Sequence, residues 1–230
     1  MIAIISDIHG NYPALKSVLE DIDRQECTQI ISLGDIAGYY CMINECIEAL
    51  RERQVTNILG NHDNYLVNNV DCSRSNSVNR CIKYQSKVIA AHNHEWLSKS
   101  LFEYIDDETY MVHGGWKDKQ EEYLYNLSED YFSGMNFTYF ISGHTHVQSL
   151  FKFSGKVYCN PGSVGQPRDG DSRAAYVLFN GQQFDLRRVE YDIDWIAKEM
   201  DRNGFEEYFY QNLYHGKRLD GKVSTFNITG

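Results

Sequence analysis

The chain is short of positive charge: 22 lysines and arginines stand against 32 aspartates and glutamates, a formal charge of −10. That balance disfavours a broad nucleic-acid or anionic-membrane surface. No apolar run approaches ~20 residues, and no basic segment precedes the first apolar stretch, so neither a membrane span nor a secretory leader is signalled. The cytoplasm is the expected location. Cys27, Cys41, Cys46, Cys72, Cys81 and Cys159 contain no Cys-x-x-Cys pair, which fits reduced thiols better than a disulfide frame or a zinc ribbon. Internal repeats and low-complexity tracts are also lacking.

What is present suffices for a substantial core. Of the 230 residues, 42% are hydrophobic and 13% aromatic, and residues 1–230 read as a single domain. Met1 to Ile5 is a short apolar run suited to a strand buried on both faces, and it stops at Ser6-Asp7-Ile8-His9-Gly10. Gln29 to Leu33 repeats the pattern and ends at Gly34-Asp35-Ile36-Ala37-Gly38. Val55 to Leu59 repeats it again, ending at Gly60-Asn61-His62-Asp63. Helical spacing lies between these strands, at Ala14, Leu15, Val18, Leu19 and Ile22, then at Ile43, Cys46, Ile47 and Leu50. A βαβαβ unit that places three polar clusters on one edge is the economical reading.

Further on, Asn64 to Ser77 reads as a polar, irregular excursion and Ser86 to Ser98 as a helix. His92 and His94 on that helix face different ways and stay outside any site. Leu101 to Ile105 and Thr109 to Val112 read as strands, the second ending at His113-Gly114-Gly115. Trp116 to Ser133 reads as an acidic, tyrosine-rich surface loop and helix. Thr138 to Ile141 is a buried strand that ends in Gly143-His144-Thr145-His146. In extended backbone, residues two apart share a side, so Asp7 with His9, and His144 with His146, are each expected to point together. Taken alone, a His-x-His pair fits a surface loop as well as it fits a metal site. Two hairpins follow, at 149–159 and 174–189, separated by an ordered loop from Asn160 to Gly170. Trp195 to Tyr214 reads as a helix broken near Gly204, with a polar tail that frays from Gly216.

Collected in order, Asp7-x-His9, Gly34-Asp35-x-x-Gly38, Gly60-Asn61-His62-Asp63, His113-Gly114 and Gly143-His144-x-His146 resemble the calcineurin-like metallophosphoesterase superfamily. Asn160-Pro161-Gly162-Ser163 through Pro167-Arg168 further resembles its small bacterial and archaeal phosphodiesterase branch. The resemblance implies an α/β fold, a four-layer α-β-β-α sandwich of two mixed sheets flanked by helices. It also implies two divalent metal ions: Asp7, His9, Asp35 and His146 on one, and Asp35, Asn61, His113 and His144 on the other. Nitrogen and oxygen donors without thiolate suit manganese, favoured here, or iron, nickel or zinc. Two such ions would outweigh the charges of Asp7 and Asp35 and draw a phosphate into an acidic protein.

The implied activity is hydrolysis of a small phosphate ester, as a phosphodiesterase or phosphatase, by attack of a metal-bridging hydroxide. His62 would be the general acid. Arg168 is the candidate phosphate contact, its alternative being an ion pair with Asp169 or Asp171. Phosphoprotein and dinucleoside-polyphosphate phosphatases extend the second block with Asp-Arg-Gly. Here Gly38-Tyr39-Tyr40 stands instead, which counts against that activity. A non-catalytic scaffold on the same fold is the reading from another class, disfavoured by the intact set of ligand types. A nuclease would need a basic track, which this composition lacks.

Overall fold

The first strand divides its side chains between two cores. In the computed structural model, which describes residues 1–228, β1 (Ile2–Ile5) sends Ala3 and Ile5 into one buried cluster and Ile4 into another. A strand changes sides at every residue, so an unbroken apolar run is what a strand covered on both faces requires. The chain continues through α1 (Tyr12–Asp23), β2 (Gln29–Ser32), α2 (Ile43–Glu52) and β3 (Thr56–Asn57). β1, β2 and β3 are parallel neighbours, as the repeated pattern predicts. α1 and α2 bury the apolar faces expected from their spacing.

Several expected boundaries are corrected. Only Thr56 and Asn57 of the expected Val55–Leu59 strand pair in the sheet, and Ile58 makes an isolated bridge to Leu101. Most of the Asn64 to Ser77 excursion is ordered at its ends by helices. α3 (Asn61–Asn68) runs into it and stops where Asn69 turns left-handed, at φ 51°. α4 (Asn76–Val88) starts inside it, with the Ser75 hydroxyl accepting from Val78 N at 3.3 Å. The helix expected over 86–98 is broken, because Ile89 and Ala90 are extended before α5 (Ala91–Ser98). Asn44 stabilises that break, accepting from Ala90 N and donating to Val88 O, each at 2.8 Å.

The second half begins with β4 (Tyr104–Ile105), shorter than the expected Leu101 to Ile105, and β5 (Thr109–Val112). Then come β6 (Asn126–Leu127), the one-turn α6 (Glu129–Phe132), β7 (Tyr139–Ser142), β8 (Ser149–Phe153) and β9 (Lys156–Asn160). β10 (Ala174–Phe179) and β11 (Phe184–Val189) form the second expected hairpin, followed by α7 (Ile193–Arg202). The helix expected to reach Tyr214 ends there; Gly204 turns at φ 77°, and two short 3-10 turns carry the chain to His215. β12 (Asn227–Ile228) pairs with β6. The tail therefore does not fray from Gly216: Gly170 N donates to Gly216 O at 2.9 Å and Ser224 N to Arg168 O at 2.7 Å.

Two five-stranded mixed sheets result, ordered β11-β10-β1-β2-β3 and β4-β5-β7-β9-β8. They pack face to face through Ile4, Ile31, Met111, Ile141, Cys159 and Val177. α1 and α2 cover the outer face of the first sheet. The outer face of the second is covered more thinly, by Leu127 and Phe132 packed on Phe140 and Tyr158. Leu127 and Phe132 are fully buried, so the Trp116 to Ser133 stretch is not merely a surface loop. Among the described residues no helix is long and apolar enough to cross a membrane, and all six cysteines are free thiols.

Candidate metal centre

Past the strand ends, the loops go on bonding to each other. Asp7 N, His9 N and Gly10 N donate to Gly34 O, Asp35 O and Ile36 O at 2.9, 2.9 and 2.8 Å, and Gly143 N donates to His113 O at 2.9 Å. The two sheets meet here as well: His144 N donates to Asp7 Oδ2 at 3.0 Å and His113 Nδ1 to Leu33 O at 2.9 Å. The four strand tips of β1, β2, β5 and β7 are thereby closed into one site.

The backbone of that site is not extended. Asp7, His9, Asp35, His144 and His146 all lie in the left-handed region, at φ between 54° and 65°. The expected same-side pairing of extended residues is therefore corrected: in each pair, alternate residues are left-handed. Aspartate and histidine enter this region more readily than bulkier residues, yet each instance still costs ~1–3 kcal/mol, and such strain gathers at functional sites. Asp7 and His9 end in the same cluster, whereas His144 and His146 end in different ones.

The first cluster contains Asp7, His9 and His146. His9 Nδ1 donates to Ala37 O at 2.8 Å and His146 Nδ1 to Gln166 O at 2.6 Å. A carbonyl can only accept, so each ring in its neutral form carries its proton on Nδ1 and a lone pair on Nε2. Those two Nε2 atoms face each other at 3.1 Å, and Asp7 Oδ1 lies 3.2 Å from His146 Nε2 with no hydrogen-bond partner of its own. Its sister Oδ2 is occupied by Ser6 Oγ, at 2.7 Å, and His144 N. Burial is the main force lowering both His9 and His146, and it keeps them neutral.

The second cluster has Asp35, His113 and His144, with Asn61 beside them. His113 Nε2 is 3.1 Å from Asn61 Oδ1, 3.2 Å from His144 Nδ1 and 3.5 Å from Asp35 Oδ2. Asp35 Oδ2 also lies 3.8 Å from His9 Nε2, so one carboxylate oxygen stands between the clusters. Positive charge is favoured at this point. Burial opposes it at His113, but the Asp35 carboxylate outweighs burial and raises that imidazole to about 9.

In the first cluster buried acceptors converge without protons between them, which is costly unless a cation joins them, and in the second the Asp35 carboxylate already draws positive charge to His113. Separations of 3.1–3.8 Å match the edges of a shell whose donors lie ~2.0–2.2 Å from a metal. The residues present thus fit two neighbouring divalent ions. Saturating manganese should stabilise the fold by about 2.7 kcal/mol at a hundred times its Kd, a rise of roughly 5–10 °C in melting temperature. Thermal unfolding of chelator-treated protein with and without manganese measures this, and an unchanged midpoint would count against the fit.

His62 borders both clusters. Its ring centroid is 4.9 Å from that of His9 and 5.1 Å from that of Tyr39, and its Nε2 is 3.9 Å from Asp35 Oδ2. Burial lowers it to about 4. Asp63 does not orient it, accepting instead from Ala37 N at 2.8 Å and Gly60 N at 3.2 Å. Because His9, Asp35 and His62 atoms also lie within 4.8 Å of one another, geometry alone allows His62 a ligand role too. Gly38, at φ 119°, is required between them: a Cβ there would stand 2.5 Å from both His9 Nδ1 and His62 Nδ1. His92 and His94 lie on α5, outside the site.

Arg168 makes neither of the ion pairs considered for it. Asp169 pairs with Arg188 and Asp171 with Arg173, while Arg168 donates to Gln166 Oε1 at 2.7 Å and Tyr39 OH at 3.0 Å. It is 6% exposed and, among the described residues, faces no carboxylate within ion-pair distance. A cleft of about 520 Å³ opens above it, bordered by Tyr39, Tyr123 and Gln166, which touch the metal centre.

Several supporting residues carry no spacing signal. Tyr123 stacks on the His144 ring at 3.8 Å. Gln85 holds the loop after Asp35, donating to Gly38 O and Tyr40 O and accepting from Gly38 N. Asn61 Nδ2 donates to Tyr65 OH at 3.3 Å, which turns Asn61 Oδ1 toward His113, and Tyr65 in turn donates to Glu121. Only the i, i+4 placement of Tyr65 after Asn61 on a helix could have pointed to it.

The profile of the calcineurin-like phosphoesterase superfamily domain matches residues 1–183. The chain belongs to this superfamily. A crystal structure of a metallophosphoesterase from Sphaerobacter thermophilus is 32% identical, with a TM-score of 0.81, and the match covers 94% of this chain and 99% of that one. An uncharacterized protein of Methanocaldococcus jannaschii is 33% identical across 94% of this chain and 98% of its own length. A hypothetical protein of Pyrococcus horikoshii shares the fold, with a TM-score of 0.84 at 20% identity over 95% of this chain and 100% of that one. Calcineurin-like phosphoesterases are metal-dependent hydrolases of phosphate esters, and the buried aspartate and histidine clusters described above could hold such metals.

Proposed function

We propose that the protein is a binuclear metal-dependent phosphoesterase acting on small phosphate esters, with residues 1–230 working as one domain. The reading rests chiefly on one observation: two clusters of buried aspartate and histidine donors share the Asp35 carboxylate, beside a cleft whose Arg168 faces no carboxylate among the described residues. Asp7, His9, Asp35 and His146 would hold one ion, and Asp35, Asn61, His113 and His144 the other, manganese being favoured for this donor set. Such ions supply an activated water and positive charge for the phosphate oxygens.

The chain's own residues do the rest. Ala37 O, Leu33 O and Gln166 O fix the rings of His9, His113 and His146 with their Nε2 lone pairs inward. The Arg168 guanidinium binds and orients an anionic phosphate, and Gln166 and Tyr39 hold it in place for that contact. His62, whose Nε2 lies 3.9 Å from Asp35 Oδ2, delivers a proton to the departing oxygen.

Arg168→Gln should raise KM for any phosphate ester by roughly tenfold to a hundredfold, with metal content retained, as expected for loss of a charge-assisted contact. Steady-state kinetics and elemental analysis measure the two quantities. A manganese-supplemented screen of phosphomonoesters, cyclic nucleotides and phosphodiesters, paired with a chelator control, tests the function itself. Turnover that appears with manganese and disappears with chelator supports it; no turnover of any ester would favour the non-catalytic scaffold.

A further inference from the structure

The superfamily match ends at residue 183, but the cleft does not. Its far wall is built from Tyr208, Arg218, Leu219 and Asp220. That segment is clamped onto the site loop, since Gly170 N bonds Gly216 O at 2.9 Å and Arg168 O accepts from Ser224 N at 2.7 Å. A tight turn then fixes Arg218, whose N donates to Lys222 O and whose O accepts from Gly221 N, each at 2.9 Å.

In a protein of net charge −10, three arginines line this cleft, Arg74, Arg168 and Arg218, against one carboxylate, Asp220. They are not equally available. Arg74 is engaged by Glu121 and lies over the Tyr123 ring at 5.3 Å. Arg168 is buried beside the metal centre. Arg218 meets Asp220 only through Nε, at 3.4 Å, with both side chains nearly half exposed. Such a pair holds its arginine weakly, and among the described residues the terminal guanidinium nitrogens have no partner, which leaves them for a bidentate anion. Tyr208, 47% exposed, lines the same cleft and offers an aromatic surface to the body of a ligand, whereas the Tyr123 ring is already engaged by His144 and Arg74.

We propose that this wall is a second-anion subsite. The preferred substrates carry, besides the phosphate ester that is cleaved, a further anionic group remote from it, and Arg218 binds that group. The inference rests on the phosphoesterase reading of the metal centre. It makes the segment beyond residue 183 a determinant of substrate choice.

The test uses the manganese-loaded full chain and matched esters that differ by one phosphate. Adenosine 5′-monophosphate is paired with adenosine 3′,5′-bisphosphate, and a dinucleoside monophosphate with its 5′-phosphorylated form. For at least one pair, the more highly charged member should show a KM about tenfold lower at similar kcat. Arg218→Gln should erase that preference, and Arg218→Lys should restore part of it. Equal KM values within both pairs, or a Gln variant that lowers kcat on both members alike, would overturn the proposal. No turnover of any ester, by contrast, removes the phosphoesterase reading and the subsite with it.

Discussion

Asp35→Ala should take the protein from two bound divalent ions to at most one and lower phosphoesterase turnover by at least ~10³-fold, the loss expected when several kcal/mol of charge stabilisation is removed. The size follows from position. Among the described residues, Asp35 Oδ2 is the only carboxylate oxygen within 4 Å of both His9 and His113, which belong to opposite clusters. Asp7, the other carboxylate of the two clusters, is tied to the first by His146. Asp35 Oδ1 has a separate task, accepting from His62 N at 2.9 Å, so alanine also loosens the start of α3. Asp35→Asn keeps that acceptor but removes the charge and turns Oδ2 into an amide nitrogen that cannot bind a metal. If elemental analysis of the asparagine variant still finds two ions per chain with undiminished turnover, Asp35 is not the shared ligand.

His62→Ala should retain both ions yet lose ~10²–10⁴ in rate on alkyl phosphate esters and much less on nitrophenyl esters. A positioned acid matters most for a poor leaving group, while nitrophenolate departs without help. The same comparison separates the two roles the geometry allows. His62 Nε2 lies 3.9 Å from Asp35 Oδ2, near enough to be a ligand. A ligand's loss would reduce metal content and slow both esters alike. Kinetics on the two ester classes with metal analysis of the same samples therefore distinguishes acid from ligand. Wild-type turnover on both would remove His62 from the mechanism.

Much of the fold was legible because each buried strand ends abruptly. Ile2 to Ile5 is apolar throughout and Ile30-Ile31 and Leu33 carry the second run, each then meeting a carboxylate, Asp7 or Asp35, within two residues, so strand, loop and candidate donor could be read together. The donors stood out chemically, because buried carboxylates and imidazoles are rare unless something pairs with them. The structure does bring Asp7, His9, Asp35, Asn61, His113, His144 and His146 to one place.

The rest depended on tertiary contacts that no periodicity encodes. The end of α3 and the start of α4 looked like a polar excursion because Asn64, Asn68, Asn76 and Ser77 dominate them, while Leu66 of α3 and Val78 and Ile82 of α4 reach the core only through the tertiary fold. Tyr39, Tyr65 and Tyr123 are ordinary residues in sequence and become relevant only where Arg168, Asn61 and His144 meet them. The left-handed backbone at Asp7, His9, His144 and His146 likewise replaces the extended geometry that spacing suggested, since strand periodicity ceases to apply one residue beyond the strand.

Anomalous diffraction from crystals of the manganese-loaded protein tests the central claim most directly. Two peaks are predicted, one among Asp7, His9 and His146 and one among Asn61, His113 and His144, with Asp35 between them. A single peak, or manganese bound elsewhere with this cluster empty, would contradict the account.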